Sequence, residues 1–322
     1  MNAAPWVLPF VAAVCLASPL GAFSQGYPSR PVHLVVPFPP GGPTDIFGRV
    51  LGQKMSQELG QPVLIENRPG AGGTIAAELV AKAPGDGYTL FFGTSGTHGS
   101  APALYPKLGY DPVKSFTPIS LLINAPLLVA ASGALPASSL KELIAYAKAR
   151  PGKLSYGSGN LAGNIVGEMF KIQSGIDMVH VPYKGAAPAT TDLVADRVQM
   201  MFDLHTSFTA FLASGKVKAL AVTSDKRLAR LPEVPSTDEA GLPGFHFSVW
   251  FALFAPAGLP AAVLQRLNAE TQKALATKEV KDAFANQGME PAGSSPEQLA
   301  ALMAEDIPKW TRAVQASGAK AD

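Results

Sequence analysis

The residues best able to do chemistry in this chain sit in five short loops: "PFPPGGPTD" (37–45), "GTSGTHGS" (93–100), "YGSGNLAGN" (156–164), "PYKGAAPATT" (182–191) and "FDLHTS" (202–207). They are rich in Gly, Ser, Thr and Asn, and each runs into a stretch with helical spacing. Such loops offer backbone N–H groups and hydroxyls at helix N-termini, where partial positive charge favours an anion. Neither G-x-x-x-x-G-K-[ST] nor G-x-G-x-x-G stands at a strand–helix junction, so a carboxylate fits better than a phosphate. Ordinary caps and turns explain each loop taken alone. Five of them in one chain point to a shared ligand.

Covalent catalysis has little to work with. The G-x-S-x-G elbow is absent, since Ser95 lies in "GTSGT" and Ser158 in "YGSGN". The five histidines (His33, His98, His180, His205, His246) form no H-x-x-x-H pair and have no cysteine with which to share a metal. Asp203 and His205 at one strand end are thin evidence for a metal site. His180 in "MVHVPY" reads as a satisfied buried or edge histidine. Lys184 could in principle form a Schiff base, but beside Gly185 it more simply places a charge near an anion or faces water. Trp250 and Phe254 read as core. No cofactor and no metal are expected.

These loops must be held by an α/β framework, because short apolar runs alternate with amphipathic ones. "VHLVVPF", "PVLIENR" and "YTLFFG" read as strands of one parallel sheet. Helices between them carry Ile46, Val50, Leu51, Met55 and Leu59, then "TIAAELVAKA", with Gly60 as a stop. A second series runs through helix "SSLKELIAYAKARPG", strand "KLSYGSGN", helix "AGNIVGEMFKIQSG", strand "MVHVPY", helix "KGAAPATTDLVADR", strand "VQMMFD", helix "TSFTAFLASG" and strand "VKALAVTS". Two apolar passages, 120–132 and 247–256, join the series, so the second is inserted into the first. The expected division is a first lobe of 25–124 with 247–322 and a second lobe of 125–246. Two crossing passages permit hinge motion. A last amphipathic helix, from about Ser295 to Ala316, is built on Leu299, Leu302, Met303, Ile307 and Trp310.

Length and composition agree with this division. A chain of 322 residues with 47% hydrophobic content can bury two cores. Its 26 Lys+Arg against 24 Asp+Glu leave a formal charge of +2 and no basic stripe, which excludes a nucleic-acid partner. "DKRLAR" (225–230) reads as a solvated face. Residues 1–24 contain no Lys, Arg, Asp or Glu, are interrupted by Pro9 and Pro19, and end with Ala22 and Ser24 at small-residue positions. This is the pattern of a secretory signal peptide cleaved near Ser24, although only the terminal amine supplies its positive end. The single cysteine, Cys15, lies within it and follows Val14, which argues against lipid attachment. The mature chain then has no disulfide, thiolate metal site or cysteine nucleophile.

Four stretches carry a resemblance: "YPSRPVHLVVPFPPGGPTDIFGR", "VLIENRPGAGGTIAAELVAKAPGDGYTLFFGTSGTHG", "LYPKLGYDPVKSFTPISLL" and "VPYKGAAPATTDLVADRVQMMFD". Together they resemble the extracytoplasmic solute receptors of the tripartite tricarboxylate transporter (Bug) family over nearly all of the mature chain. The resemblance implies a two-lobed α/β fold of the type II periplasmic-binding-protein (Venus-flytrap) class, each lobe a mostly parallel sheet flanked by helices. It implies a periplasmic, non-enzymatic monomer that captures a di- or tricarboxylate, an acidic amino acid or an aromatic acid. Delivery is to a permease of one large and one small integral subunit, although many members have no evident permease. By position, the first lobe would hold a carboxylate through Pro40, Gly41, Gly42 and Thr44, then Thr94, Ser95, Thr97 and His98. The second lobe would add Ser158, Gly159, Asn160 and Asn164, the turn Lys184, Gly185 and Ala186, and Asp203, which would meet an amine or hydroxyl. Asp45, which would repel an anion, is expected to cap the first helical turn with Thr44. Asn164 stands where His is usual and Ala101 where Asn is frequent, so the ligand is not inherited from a relative. A sensor signalling to a membrane kinase and an exported α/β enzyme are the alternatives.

Overall fold

In the computed structural model, which describes residues 26–287 and 289–319, the apolar run Val32–Val36 forms strand β1, its side chains buried except for half-buried His33. A strand at the centre of a parallel sheet is covered on both faces, and this run has the composition for it. Helix α1 (Pro43–Leu59) starts with a proline at its first position and ends at Gly60, whose φ of +70° closes it in the left-handed conformation. Its stripe of Phe47, Leu51, Met55 and Leu59 is buried in the core of the first sheet. Strand β2 (Val63–Asn67), helix α2 (Thr74–Ala81) and strand β3 (Thr89–Thr94) complete the parallel set, with Val32 opposite Val63 and His33 opposite Thr89. A π-helical turn, Gly96–Ser100, and the short helix α3 (Ala101–Leu104) follow β3.

The passage expected at 120–132 is two strands in two different sheets. Strand β4 (Phe116–Pro126) belongs to the first sheet and β5 (Leu128–Ser132) to the second, with Leu127 between them. The second series then runs α4 (Leu140–Lys148), β6 (Leu154–Ser158), α5 (Leu161–Ser174), β7 (Met178–Pro182), α6 (Ala186–Val194), β8 (Met200–Asp203), α7 (Thr209–Leu212) and β9 (Val217–Val222). The helix expected over "TSFTAFLASG" is reduced to a 3-10 turn at His205–Ser207 and the four-residue α7. Phe208, at φ −120°, is drawn into the core with Val217 and Val222 and interrupts the helix there.

Strand β10 (Ser248–Pro256) brings the chain back, antiparallel to β3 and β4, with Phe251 opposite Thr94. The first sheet is ordered β2-β1-β3-β10-β4 and the second β7-β6-β8-β5-β9. In each sheet one strand runs against the others, β10 in the first and β5 in the second. Helices α8 (Ala261–Ala276), α9 (Lys278–Asn286) and α10 (Pro296–Ser317) finish the fold. A reciprocal capping box between Ser295 and Gln298 starts α10. Its Leu299 and Met303 lie in a core cluster with β3 and β10, whereas Trp310, Ala313 and Val314 lie in the core of the second sheet. Buried Asp306 accepts the indole N–H groups of Trp250 (2.7 Å) and Trp310 (2.8 Å), tying β10 to α10. Among the described residues no helix is long and apolar enough to cross a membrane. The expected signal segment, 1–24, lies outside the described residues.

Candidate ligand cleft

A cavity of about 660 Å³ opens where the carboxyl ends of the two sheets' parallel strands face each other, the place where open α/β sheets bind ligands. Its first wall is built from the loop after β1 and the turn after β3. Prolines hold the β1 loop until Gly41, whose φ of +86° needs a glycine. Asp45, at the third position of α1, reaches back and accepts the Gly41 N–H at 2.9 Å. Asp45 also accepts from Asn67 Nδ2 (2.9 Å) and pairs with Arg49 (2.9 Å). Burial raises the Asp45 pKa, but the bonds from Arg49, the Gly41 N–H and Asn67 outweigh it and hold the carboxyl below its usual range. The first-turn cap expected from Thr44 and Asp45 is therefore not formed: Gly42 is the N-cap, without a side-chain bond, and Asp45 staples the loop behind the wall. The first internal bond of α1 runs from the Ile46 N–H to the Gly42 carbonyl. The preceding N–H groups of Thr44 and Asp45 have no carbonyl a turn back to donate to.

After β3, Thr94 and Thr97 exchange bonds, the N–H of each donating to the other's hydroxyl at 3.0 and 3.1 Å. This fixes the π-helical turn and leaves Ser95, Gly96 and Ser100 on the cavity. Ser95 Oγ accepts weakly from the Trp250 N–H, at 3.4 Å.

The second wall is the start of α5. Asn160 is its N-cap, the Oδ1 accepting from the Gly163 N–H at 2.8 Å. The other end of the same amide, Nδ2, donates to Asp203 Oδ2 at 3.1 Å, and the Leu204 N–H donates to Asp203 Oδ1 at 2.7 Å. Asp203 is 5% exposed and lies in the cavity wall. Burial pushes its carboxyl up to about 6, against those hydrogen bonds. Leu161, Ala162 and Ile165 continue this wall, and Leu127, Val249, Phe251, Met289 and Trp310 give the cavity an apolar floor.

Of the residues expected at the site, the structure brings Pro40, Gly42, Thr44, Thr94, Ser95, Asn160 and Asp203 to the cavity. Gly41 shapes the loop with its N–H engaged by Asp45. Thr97 and His98 are fully buried behind the wall. His98 stacks on Phe254 (4.1 Å between rings, 9° between planes), and burial lowers its pKa to about 3, so the ring is neutral. Ser158 Oγ is paired with His180 Nε2 at 2.7 Å, which places His180 as a satisfied, half-buried edge histidine. Asn164 lies beside the Tyr156 hydroxyl (3.1 Å), whose proton goes to Glu168 at 2.6 Å, and away from the cavity. Gly159 is a packing glycine: a Cβ there would come within 2.2 Å of the Gly185 carbonyl carbon. Lys184 is exposed and, with Gly185 and Ala186, does not line the cavity. Trp250 is buried in the core, but its neighbour Phe251 lines the cleft. Leu161 and Ala162 were not read as site residues, and their place directly after Asn160 at a helix start is the signal that would have found them. The floor residues gave no local signal, because chain segments far apart in sequence assemble them. Among the described residues no group of three or more His, Cys, Asp or Glu could hold a metal ion.

Residues 47–319 match the family model described as "Tripartite tricarboxylate transporter family receptor". The chain is 37% identical to the protein BugT of Bordetella pertussis, over 97% of this chain and 96% of that one. Among solved structures it is similar to Rpa4515 of R. palustris with adipate, at a TM-score of 0.73 and 37% identity, covering 91% of this chain and 98% of that one. It also resembles a TctC solute-binding protein from Polaromonas without ligand, at a TM-score of 0.82 and 27% identity, over 90% and 99% of the two chains.

Proposed function

The chain belongs to the tripartite tricarboxylate transporter family of receptors, and from that premise we propose that it captures a small organic carboxylate in this cleft for delivery to integral-membrane permease subunits. The observation that carries the reading is the first wall. There the start of α1 and the turn after β3 present Thr44, Thr94, Ser95 and Gly96 to one cavity. Helix starts and hydroxyls of this kind hold an anion without a cationic side chain. The adipate complex of a relative 37% identical supports a carboxylate as the ligand. The protein is exported, residues 1–24 being removed, and works in the periplasm as a binder without catalysis of its own. Neither a histidine nor a cysteine lies among the described lining residues to activate Ser95 or Thr94.

Binding closes a first lobe of 25–124 with 247–322 onto a second lobe of 125–246, with β4–β5, β10 and α10 as the crossing segments. Closure gives Lys184 and the start of α6, outside the cavity in this arrangement, a route to the ligand. The test is a thermal-shift screen of the exported protein across mono-, di- and tricarboxylates, amino acids, sugars and amines. A bound acid raises Tm by linkage. Shifts with neutral sugars or amines, and none with any acid, would end the carboxylate reading.

A further inference from the structure

Helix α10 passes from one lobe to the other, and a proline stands where it crosses. Leu299, Leu302, Met303 and Ile307 pack with β3 and β10 of the first sheet, whereas Trp310, Ala313 and Val314 lie in the core of the second. Pro308 lies between the two sets, inside the helix. It has no N–H for the Ala304 carbonyl, and its ring crowds that oxygen, so the helix lacks one rung at this turn and can bend there. Thr311 Oγ1 donates to the Ile307 carbonyl at 2.9 Å, a back-bond that loosens the same turn. Ala304 and Pro308 are both exposed, so water reaches the freed carbonyl and the ring fills no core. Packing gives this proline no reason to be there, and its effect on helix stability is adverse.

The three crossings between the lobes lie side by side. The Thr223 N–H donates to the Leu127 carbonyl (2.9 Å) and the Phe247 N–H to the Thr223 carbonyl (3.0 Å), which joins the passage between β4 and β5 to the entry of β10. Lys309 Nζ donates to the His246 carbonyl at 3.2 Å and pairs with Asp306 at 3.2 Å, which brings α10 to the same point. Asp306 also holds the Trp310 indole across the missing rung. A rotation of the lobes about this line must bend α10 beside Pro308, and an unbroken helix would resist it. We propose that Pro308 is the flexure of a third hinge. It lets the last turns of α10 move with the second lobe and carry with them Trp310, a residue of the cleft floor. Pro308 itself does not line the cavity and acts by positioning Trp310. This inference rests on the lobe closure proposed above.

With residues 1–24 removed the chain has no cysteine, so spin labels can be attached at Ile75→Cys on α2 and Val179→Cys on β7, both exposed and in different lobes. Pulsed electron paramagnetic resonance without any acid present should give a broad distribution of label distances in the natural background. The distribution should be narrower in Pro308→Ala. The same variant should favour the folded state at least about tenfold more in chemical denaturation, because alanine restores the rung. Pro296→Ala, at the first position of the same helix where no rung is lost, should leave the width unchanged. Equal widths in Pro308→Ala and the natural background, both broad, overturn the flexure and leave lobe closure standing. A narrow distribution in the natural background overturns both. Neither result touches the carboxylate reading, since no acid is used. A Pro308→Ala protein less stable than the natural chain makes the proline a packing residue and overturns the proposal. Equal narrowing by Pro296→Ala overturns it too, since the effect would then belong to the helix as a whole.

Discussion

Asp45 and Asp203 are two buried aspartates, one on each side of the cleft, and their surroundings give them opposite characters. Asp45 is 3% exposed and Asp203 5%, but Asp203 is set deeper in the protein, where burial dominates its carboxyl. Asp45 is met by a guanidinium, a backbone N–H and a side-chain amide, and its carboxyl is held below the usual range. Asp203 is met by a backbone N–H, the Asn160 amide and the Ser207 hydroxyl but no cation, and burial pushes its carboxyl up to about 6. The first acid organises a loop so that other groups face the ligand. The second is part of the surface the ligand meets. The two acids differ both in depth and in the supply of partners, because a buried charge must find its solvation within the protein.

The largest effect should come from removing the structural member. Asp45→Ala leaves the Gly41 N–H and Asn67 amide without their acceptor, and should cost about 3–4 kcal/mol of stability in chemical denaturation. A loss below about 1 kcal/mol would show that the loop holds without its staple, and the contrast with Asp203 would collapse. The second effect concerns pH. An unfolded chain releases the Asp203 proton near the ordinary aspartate value of 3.8, whereas the folded chain keeps it to about 6. The folded state thus binds more protons between those values. This contribution to stability is fully present at low pH and is lost as pH rises from about 4 to about 6, by up to about 3 kcal/mol. Denaturation curves of Asp203→Asn should be flatter across that window than those of the natural chain. Equal slopes would mean that Asp203 is solvated as well folded as unfolded.

Smaller changes probe the first wall. Ser95→Ala should weaken carboxylate binding by about 1–2 kcal/mol with little loss of stability. Thr94→Ala should weaken binding by a similar amount and also lower stability by about 1 kcal/mol, since the Thr94 hydroxyl accepts the Thr97 N–H. Unchanged affinity in both variants would move the anion away from this wall. The smallest change is Lys184→Ala, which should weaken binding about twofold, in a salt-dependent way, if closure brings the start of α6 to the ligand. No change at low salt would leave that turn outside the closed site.

Much of the framework was legible because it depends on local rules. The parallel strands, the Gly60 stop and the start of α10 at Ser295 follow from period and φ preference. The loops that carry Pro40, Gly42, Thr44, Thr94, Ser95 and Asn160 were legible for the same reason, as polar turns at strand ends. Reading failed where a side chain had two plausible destinations. The resemblance implies a ligand contact for His98. The π-helical turn sends it instead into the ring cluster of Phe254, Phe116 and Trp250. Ser158 and Asn164 sit beside Asn160, yet one is engaged by His180 and the other lies beside Tyr156.

The sequence by itself determined the α/β alternation, the absence of a nucleophile–base motif, the Gly- and hydroxyl-rich strand ends, and the family. Each is written in neighbouring residues, which interact whatever the rest of the chain does. Tertiary structure alone decided which N–H groups remain for a ligand, that Asp45 turns away while Asp203 lines the cleft, and that Phe251 and Trp310 form its floor. Those outcomes depend on contacts such as Phe251 opposite Thr94 and Trp310 in the core of the second sheet. No local rule fixes such pairings, because their strength comes from surfaces that meet only when both sheets and the last helix are in place.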